Sequence, residues 1–303
     1  MASPLSKSLI AKAIGESGAF FGRTLNAKPL AETEQAGTKF AQENNAGSLE
    51  QLRAIPAQQL LEAAMKDHNA FRFGPNVDGY FFPENPAEIY AKGSQAHIPL
   101  LAGWNRDEGN YHIFFGADPP NTETYSKKVS QTFNDKASEV LKAFPGETDE
   151  QAKASANLLA TANFIGYGTW KWLELQTKFG DVPVYRYQFD QAPPIPPSGP
   201  AAADGPKAYH SAEIEYVFEA LDSKHIEGKP VAWRSEDRKL SDQISSYWTN
   251  FAKTGNPNGH GLPNWPRYDA KGGYATMHLG SESHAAKDGQ RSQYVLLDQL
   301  SHP

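Results

Sequence analysis

The sequence predicts an α/β fold built on a mostly parallel sheet, and three observations carry that expectation. Strand-like apolar runs alternate with longer helical patterns, as crossover units require. One run, IPLLAG (98–103), has the continuous apolar character of a strand buried on both faces. At 303 residues the chain can bury a substantial core, and 39% hydrophobic against 21% charged residues is a globular balance, not a disordered one.

The strands are expected at AKAIGES (11–17), HIPLLAGWN (97–105), PVYRYQF (183–189), YATMHL (274–279) and QYVLL (293–297), all short apolar runs with strand character. Helices are expected at PLAETEQAGTKFAQEN (29–44) and PAQQLLEAAMKD (56–67), with Pro29 and Pro56 suited to a first turn. A longer one covers 148–179, with Thr148 as its cap and Gly166 and Gly168 as points of bending. In SEDRKLSDQISSYWTNFAKTG (235–255), Leu240, Ile244, Tyr247, Trp248 and Phe251 fall on one face before Gly255 stops the helix. The Pro-rich stretch DQAPPIPPSGPAAADGP (190–206) is excluded from helix and central strand, which leaves a loop.

Composition removes several function classes. The net charge is −6 and the 29 Lys and Arg are scattered, so no basic footprint for nucleic acid exists. No apolar run approaches the roughly 18–20 residues that span a bilayer, and MASPLSKSLI is too short and polar for a signal peptide, so no membrane partner is expected. The absence of cysteine excludes disulfides and thiolate catalysis while leaving the compartment open. The nine histidines show no H-x-H or H-E-x-x-H spacing, so no metal is expected.

Two stretches carry candidate chemistry. GWNRDEGNYH (103–112) follows the buried strand directly, which places Asp107 and Glu108 at the carboxyl end of a sheet strand, where α/β folds put their sites. The same acids would also serve as ordinary helix-start residues. KAYHSAEIEYVFEAL (207–221) delivers His210 from the loop after PVYRYQF, immediately before a segment that reads as a helix. A histidine there suits a general base, although a lone histidine is more often incidental.

Taken together, FGPNVDGYFFPENPAEIYAKGSQAHIPLLAGWNRDEGNY (73–111), AYHSAEIEYVF (208–218) and LSDQISSYWTNFAKTGNPNGHGLPNWPRYD (240–269) resemble the type B carboxylesterases, the α/β-hydrolase family that includes para-nitrobenzyl esterases and cholinesterases. MASPLSKSLIAKAIGESGAFF (1–21) fits the same family. The resemblance implies one α/β-hydrolase domain over 1–303, with helices on both faces of the sheet and its N-terminal strands missing. It implies hydrolysis of a small carboxylic ester by a serine, a glutamate and a histidine, with Glu108 as the acid and His210 as the base.

The family's serine sits in a G-E-S-A-G elbow upstream of the segment matched by ASPLSK, and no G-x-S-x-G occurs in this sequence. GESGA (15–19) comes near it, but Ala19 replaces the final glycine, and GAFFGRTLNAK (18–28) is loop-like where an elbow leads at once into a helix. By the resemblance Ser17 instead hydrogen-bonds the triad glutamate and holds its orientation. The resemblance also implies Tyr111 and His112 near the substrate, Glu213 in a buried polar network, and Phe20 or Phe21 in place of the aromatic expected at Thr24. The resemblance implies no cofactor, and the chain is then expected to be a reading frame begun at an internal methionine, lacking the oxyanion donors, with an open sheet edge that either a second chain or a dimer covers or that leaves it less stable than the full domain. The rivals are a non-catalytic binding protein of the same fold and a short esterase using Ser17.

Overall fold

The structure, a computed structural model, describes residues 1–22, 26–66, 73–179, 181–195, 202, 204–226 and 228–301. Two compact units are present, Met1–Leu9 with Asn26–Ala96, and Ile10–Leu25 with His97–Pro303. The second opens with strand β1 (Ala13–Glu16). The first then takes up the chain with β2 (Lys28–Pro29), α1 (Leu30–Glu43), α2 (Leu49–Ala54), α3 (Ala57–Met65), β3 (Asn76–Val77) and α4 (Pro86–Ala91). Pro29 and Pro56 stand at the N-caps of α1 and α3, while the Ser48 and Asn85 side chains cap α2 and α4 by accepting main-chain N–H bonds.

The second unit resumes with β4 (Leu100–Asn105), α5 (Tyr111–Phe115), α6 (Thr122–Phe133), α7 (Ala137–Ala143), α8 (Asp149–Thr161), α9 (Tyr167–Phe179) and β5 (Val184–Phe189). It closes with α10 (Ile214–Val217), β6 (His225–Ile226), β7 (Lys229–Pro230), α11 (Ser235–Thr254), β8 (Ala275–Leu279), β9 (His284–Lys287) and α12 (Arg291–Ser301). The main sheet has the order β1-β4-β5-β8-β9, parallel except for the last strand.

All six residues of β4 and all six of β5 are buried, so continuous apolar character in this chain does mark strands covered on both faces. Alternation divides their side chains between two cores. Leu101, Tyr185, Tyr187 and Phe189 meet α10 and α11 on one side, and Leu100, Ala102, Trp104 and Val184 meet α9 and α12 on the other. Helix α11 buries Leu240, Ile244, Tyr247, Trp248 and Phe251, and Gly255, at φ 77°, ends it in the left-handed conformation that glycine adopts without penalty.

Three expectations are modified. QYVLL (293–297) lies in helix α12, not in a strand. A short apolar run does not by itself distinguish the two, and here the three-residue spacing of Tyr294, Leu297 and Leu300 decides. Tyr294 stacks on Trp170 with centroids 5.8 Å apart. The helix expected over 148–179 runs as α8, a π-helical turn at Ala162–Gly166, and α9. The helical segment after His210 is only the four residues of α10. The described part of 190–206 contains neither strand nor α-helix. Among the described residues, no helix is long and apolar enough to cross a membrane.

Phe251 is fully buried in the core beneath α11, whereas Lys253 on the same helix is exposed. Phe251→Ala is therefore expected to cost about 3–5 kcal/mol in urea unfolding, and Lys253→Ala less than about 0.5 kcal/mol.

Candidate active site

Strand β4 ends at Asn105, and the next three residues turn its chain back on itself. The Glu108 carboxylate consequently returns to its own strand, where Oε1 accepts the Asn105 main-chain N–H at 2.8 Å. The Ser17 hydroxyl, at the end of the adjacent strand, donates to the same oxygen at 2.5 Å. The other oxygen, Oε2, lies 2.6 Å from Nδ1 of His210. The Glu108 side chain has no solvent exposure, so these three donors are what compensates its removal from water.

His210 is brought there by a short backbone clasp. Asp107 N–H donates to Ala208 O at 2.9 Å, and Ala208 N–H donates to the Asp107 carboxylate at 3.0 Å. Asp107 and Tyr209 pair as an isolated parallel bridge. The Asp107 carboxylate thus serves to join the two loops. Gly109 permits the close seat of the first loop on α8, because a Cβ there would stand 2.4 Å from main-chain atoms of Ala160 and Thr161. Its N–H donates to Thr161 Oγ1 at 3.0 Å.

Two residues flanking this pair hold left-handed backbone conformations that cost non-glycine residues on the order of 1–3 kcal/mol, Ser17 at φ 52° and Ser211 at φ 69°. These are two of the six non-glycine residues with positive φ among the described residues. The His210 side chain is 46% exposed. The bond to Glu108, reinforced by the charge of that carboxylate, holds the imidazole above its ordinary value. Because Nδ1 donates to a buried carboxylate, the neutral ring carries its lone pair on Nε2, and among the described residues none hydrogen-bonds that atom.

A second layer of buried acids lies beneath. The Asn105 side-chain amide donates to Tyr209 O at 2.7 Å and to the Glu213 carboxylate. Burial, only partly offset by that amide, pushes the Glu213 carboxyl up to about 7, and the Glu108 and Glu16 carboxylates push the same way. Glu16 accepts the Trp248 indole N–H at 2.7 Å. Burial together with these three acids keeps the nearby Tyr187 phenol protonated.

The ring of Phe164, on the π-helical turn, stands edge-on to His210 with centroids 5.1 Å apart. It also borders a cavity of about 460 Å³ walled by Phe114, Phe133, Leu159, Tyr167 and Leu297.

A sequence model of the carboxylesterase family matches residues 1–296. The chain belongs to this family. It is 33% identical over 278 residues to the para-nitrobenzyl esterase of Bacillus subtilis (strain 168), covering 88% of this chain and 53% of that protein. It is 29% identical over 305 residues to carboxylesterase 1C of Rattus norvegicus, covering 94% and 53%. A solved thermophilic PNB esterase superposes with a TM-score of 0.70 at 28% identity, covering 98% of this chain and 59% of that one. A further PNB esterase structure gives 0.71 at 28% identity, covering 100% and 59%. The chain spans about half the length of the curated relatives it matches. Its architecture is the α/β-hydrolase fold of this carboxylesterase family.

Within that carboxylesterase frame the structure brings Ser17, Glu108, His210 and Glu213 into one connected cluster. Tyr111 stacks on His112 with centroids 4.1 Å apart and donates its hydroxyl to Asp204 at 2.9 Å, and His112 lies 3.3 Å from the same carboxylate. Their neighbour Phe114, with Ile113, lines the cavity. Phe20 and Phe21 are half-buried in the turn after Ser17. Thr24 lies outside the described residues. Asn105, Phe164 and Asp204 are participants that sequence reasoning missed. Asn105 alone left a trace there, as the polar end of an apolar strand.

Glu108→Gln removes the charge facing His210 and is expected to lower the imidazole titration seen by proton NMR. In the wild-type chain the raised value means that the pair favours folding most below the ordinary imidazole range, about pH 6.5, and that this contribution is lost as pH rises through the raised value. For Glu213, the folded value of about 7 exceeds that of the unfolded carboxyl, so stability falls as pH climbs from about 4.5 to 7 and the group ionises in place. Glu213→Gln should flatten that part of the profile in urea unfolding at a series of pH values.

Proposed function

We propose that the chain supplies the acid and base of a Ser-Glu-His triad that hydrolyses carboxylic esters, Glu108 acting as the acid and His210 as the base. The observation that carries the reading is the bond from the buried Glu108 carboxylate to His210 Nδ1, which leaves Nε2 as the proton acceptor. In this reading Nε2 takes the proton of an attacking serine hydroxyl and later returns it to the leaving alcohol, by way of an acyl-enzyme. Glu108 fixes the tautomer and stabilises the imidazolium.

Ser17 acts as the support of Glu108, not as the nucleophile. Its hydroxyl is committed to Oε1, on the carboxylate oxygen that His210 does not use. The nucleophile and the oxyanion donors come from a segment outside this sequence. A small ester with one apolar group fits the cavity beside Phe164, whose volume lies in the range of small-molecule sites.

The test is p-nitrophenyl acetate hydrolysis by the chain alone and by the chain fused behind the upstream half of the Bacillus subtilis relative. The chain alone is expected to be inactive and unlabelled by a fluorophosphonate probe. The fusion is expected to be active, to lose at least about 1,000-fold on His210→Ala and far less on Ser17→Ala. Labelling of Ser17 in the chain alone, or a fusion whose activity ignores His210→Ala, would overturn the assignment.

A further inference from the structure

We propose that His278 and His284 form a two-imidazole site for a divalent first-row transition ion, such as zinc, nickel or copper, separate from the Glu108 and His210 pair. The two residues are register partners on the antiparallel strands β8 and β9. Their rings lie nearly parallel, with centroids 5.3 Å apart and planes inclined by 15°. The six-residue separation matches no metal-binding spacing in sequence, and it is the hairpin that brings them together.

The hydrogen bonds fix which nitrogens are available. His278 Nδ1 lies 2.6 Å from Asp190 Oδ2, and His284 Nδ1 lies 3.0 Å from Glu282 O. Both partners are oxygens without a proton to give, so each ring in its neutral form carries its hydrogen on Nδ1 and presents a lone pair on Nε2. A histidine anchored through Nδ1 to a carboxylate is the usual arrangement behind a metal ligand, because the carboxylate holds the ring and raises its basicity. Asp190 is itself held by the Gln188 amide at 2.8 Å and faces Arg106 at 4.0 Å.

Two facing imidazoles repel each other once both are protonated, and an ion shared between neutral rings replaces that repulsion with two bonds. Metal to imidazole bonds of about 2.0–2.1 Å require the two Nε2 atoms to come within about 4.2 Å of each other. Each lone pair lies in its ring plane, so the stacked rings must tilt toward each other to share an ion, and His284, exposed and held by a main-chain oxygen two residues away, is the ring that would have to turn. The His278 side chain is 26% exposed, which leaves a path for the ion. Among the described residues no group of three or more ligating side chains gathers, so water completes the coordination and the site is exchangeable. Imidazole ligands favour copper over nickel and zinc in affinity.

Calorimetric titration of the intact chain with zinc, nickel and copper chlorides in a non-chelating buffer tests this. One ion per chain is expected, with copper tightest, and His278→Ala or His284→Ala should each weaken binding at least about tenfold. Asp190→Asn should weaken it about tenfold while keeping the stoichiometry. In the wild-type chain, substoichiometric copper should broaden the ring resonances of His278 and His284 before those of the other histidines, a readout independent of whether any variant folds. No ion uptake by the wild-type chain, undiminished binding by a folded His278→Ala/His284→Ala variant, or broadening that begins at other histidines would overturn the proposal.

Discussion

A single carboxylate without solvent contact, that of Glu108, is the constraint around which this part of the molecule is organised. An isolated ion in such a place is strongly unfavourable, and the chain meets the cost with donors from three segments far apart in sequence. Each donor is in turn fixed. The Asn105 N–H belongs to the end of a central strand, Ser17 is held in a left-handed conformation, and His210 is pinned by the clasp between Asp107 and Ala208. Removing any one of them leaves a buried acceptor short of a partner, so position and chemistry are coupled at this point.

The groups around Glu108 show how burial sets protonation at this end of the sheet. Glu108 has three donors, whereas Glu213, also buried, has the Asn105 amide as its side-chain partner, and burial pushes its carboxyl up to about 7. Neutral pH therefore falls where Glu213 changes charge directly beneath the strand end that carries Glu108. The Tyr187 phenol, deeper still, remains protonated.

What could be read from sequence follows from how local each signal is. IPLLAG and the face of α11 are visible because burial on two faces and helical periodicity are written into consecutive residues. QYVLL misleads because a run of five residues is too short to fix a period, and the packing of Tyr294 on Trp170 is decided elsewhere in the chain. Glu108 and His210 stood out singly only as plausible acids and bases, and the family resemblance is what joined them. Phe164 and Asp204 carry no local mark of their roles, and Asn105 only that of a polar strand end, since each depends on a contact formed across many residues. The pairing of His278 with His284 is hidden for the same reason, although the hairpin that creates it is short.

The bonds at Glu108 join residues separated by 91 and 102 positions. Closing loops of that size is slow relative to forming helices, so the cluster can appear only after β1, β4 and β5 have found their order. Local elements such as α11 can form long before it. The polar knot at the strand ends thus requires the completed sheet order, and a chain that holds it has already settled its topology.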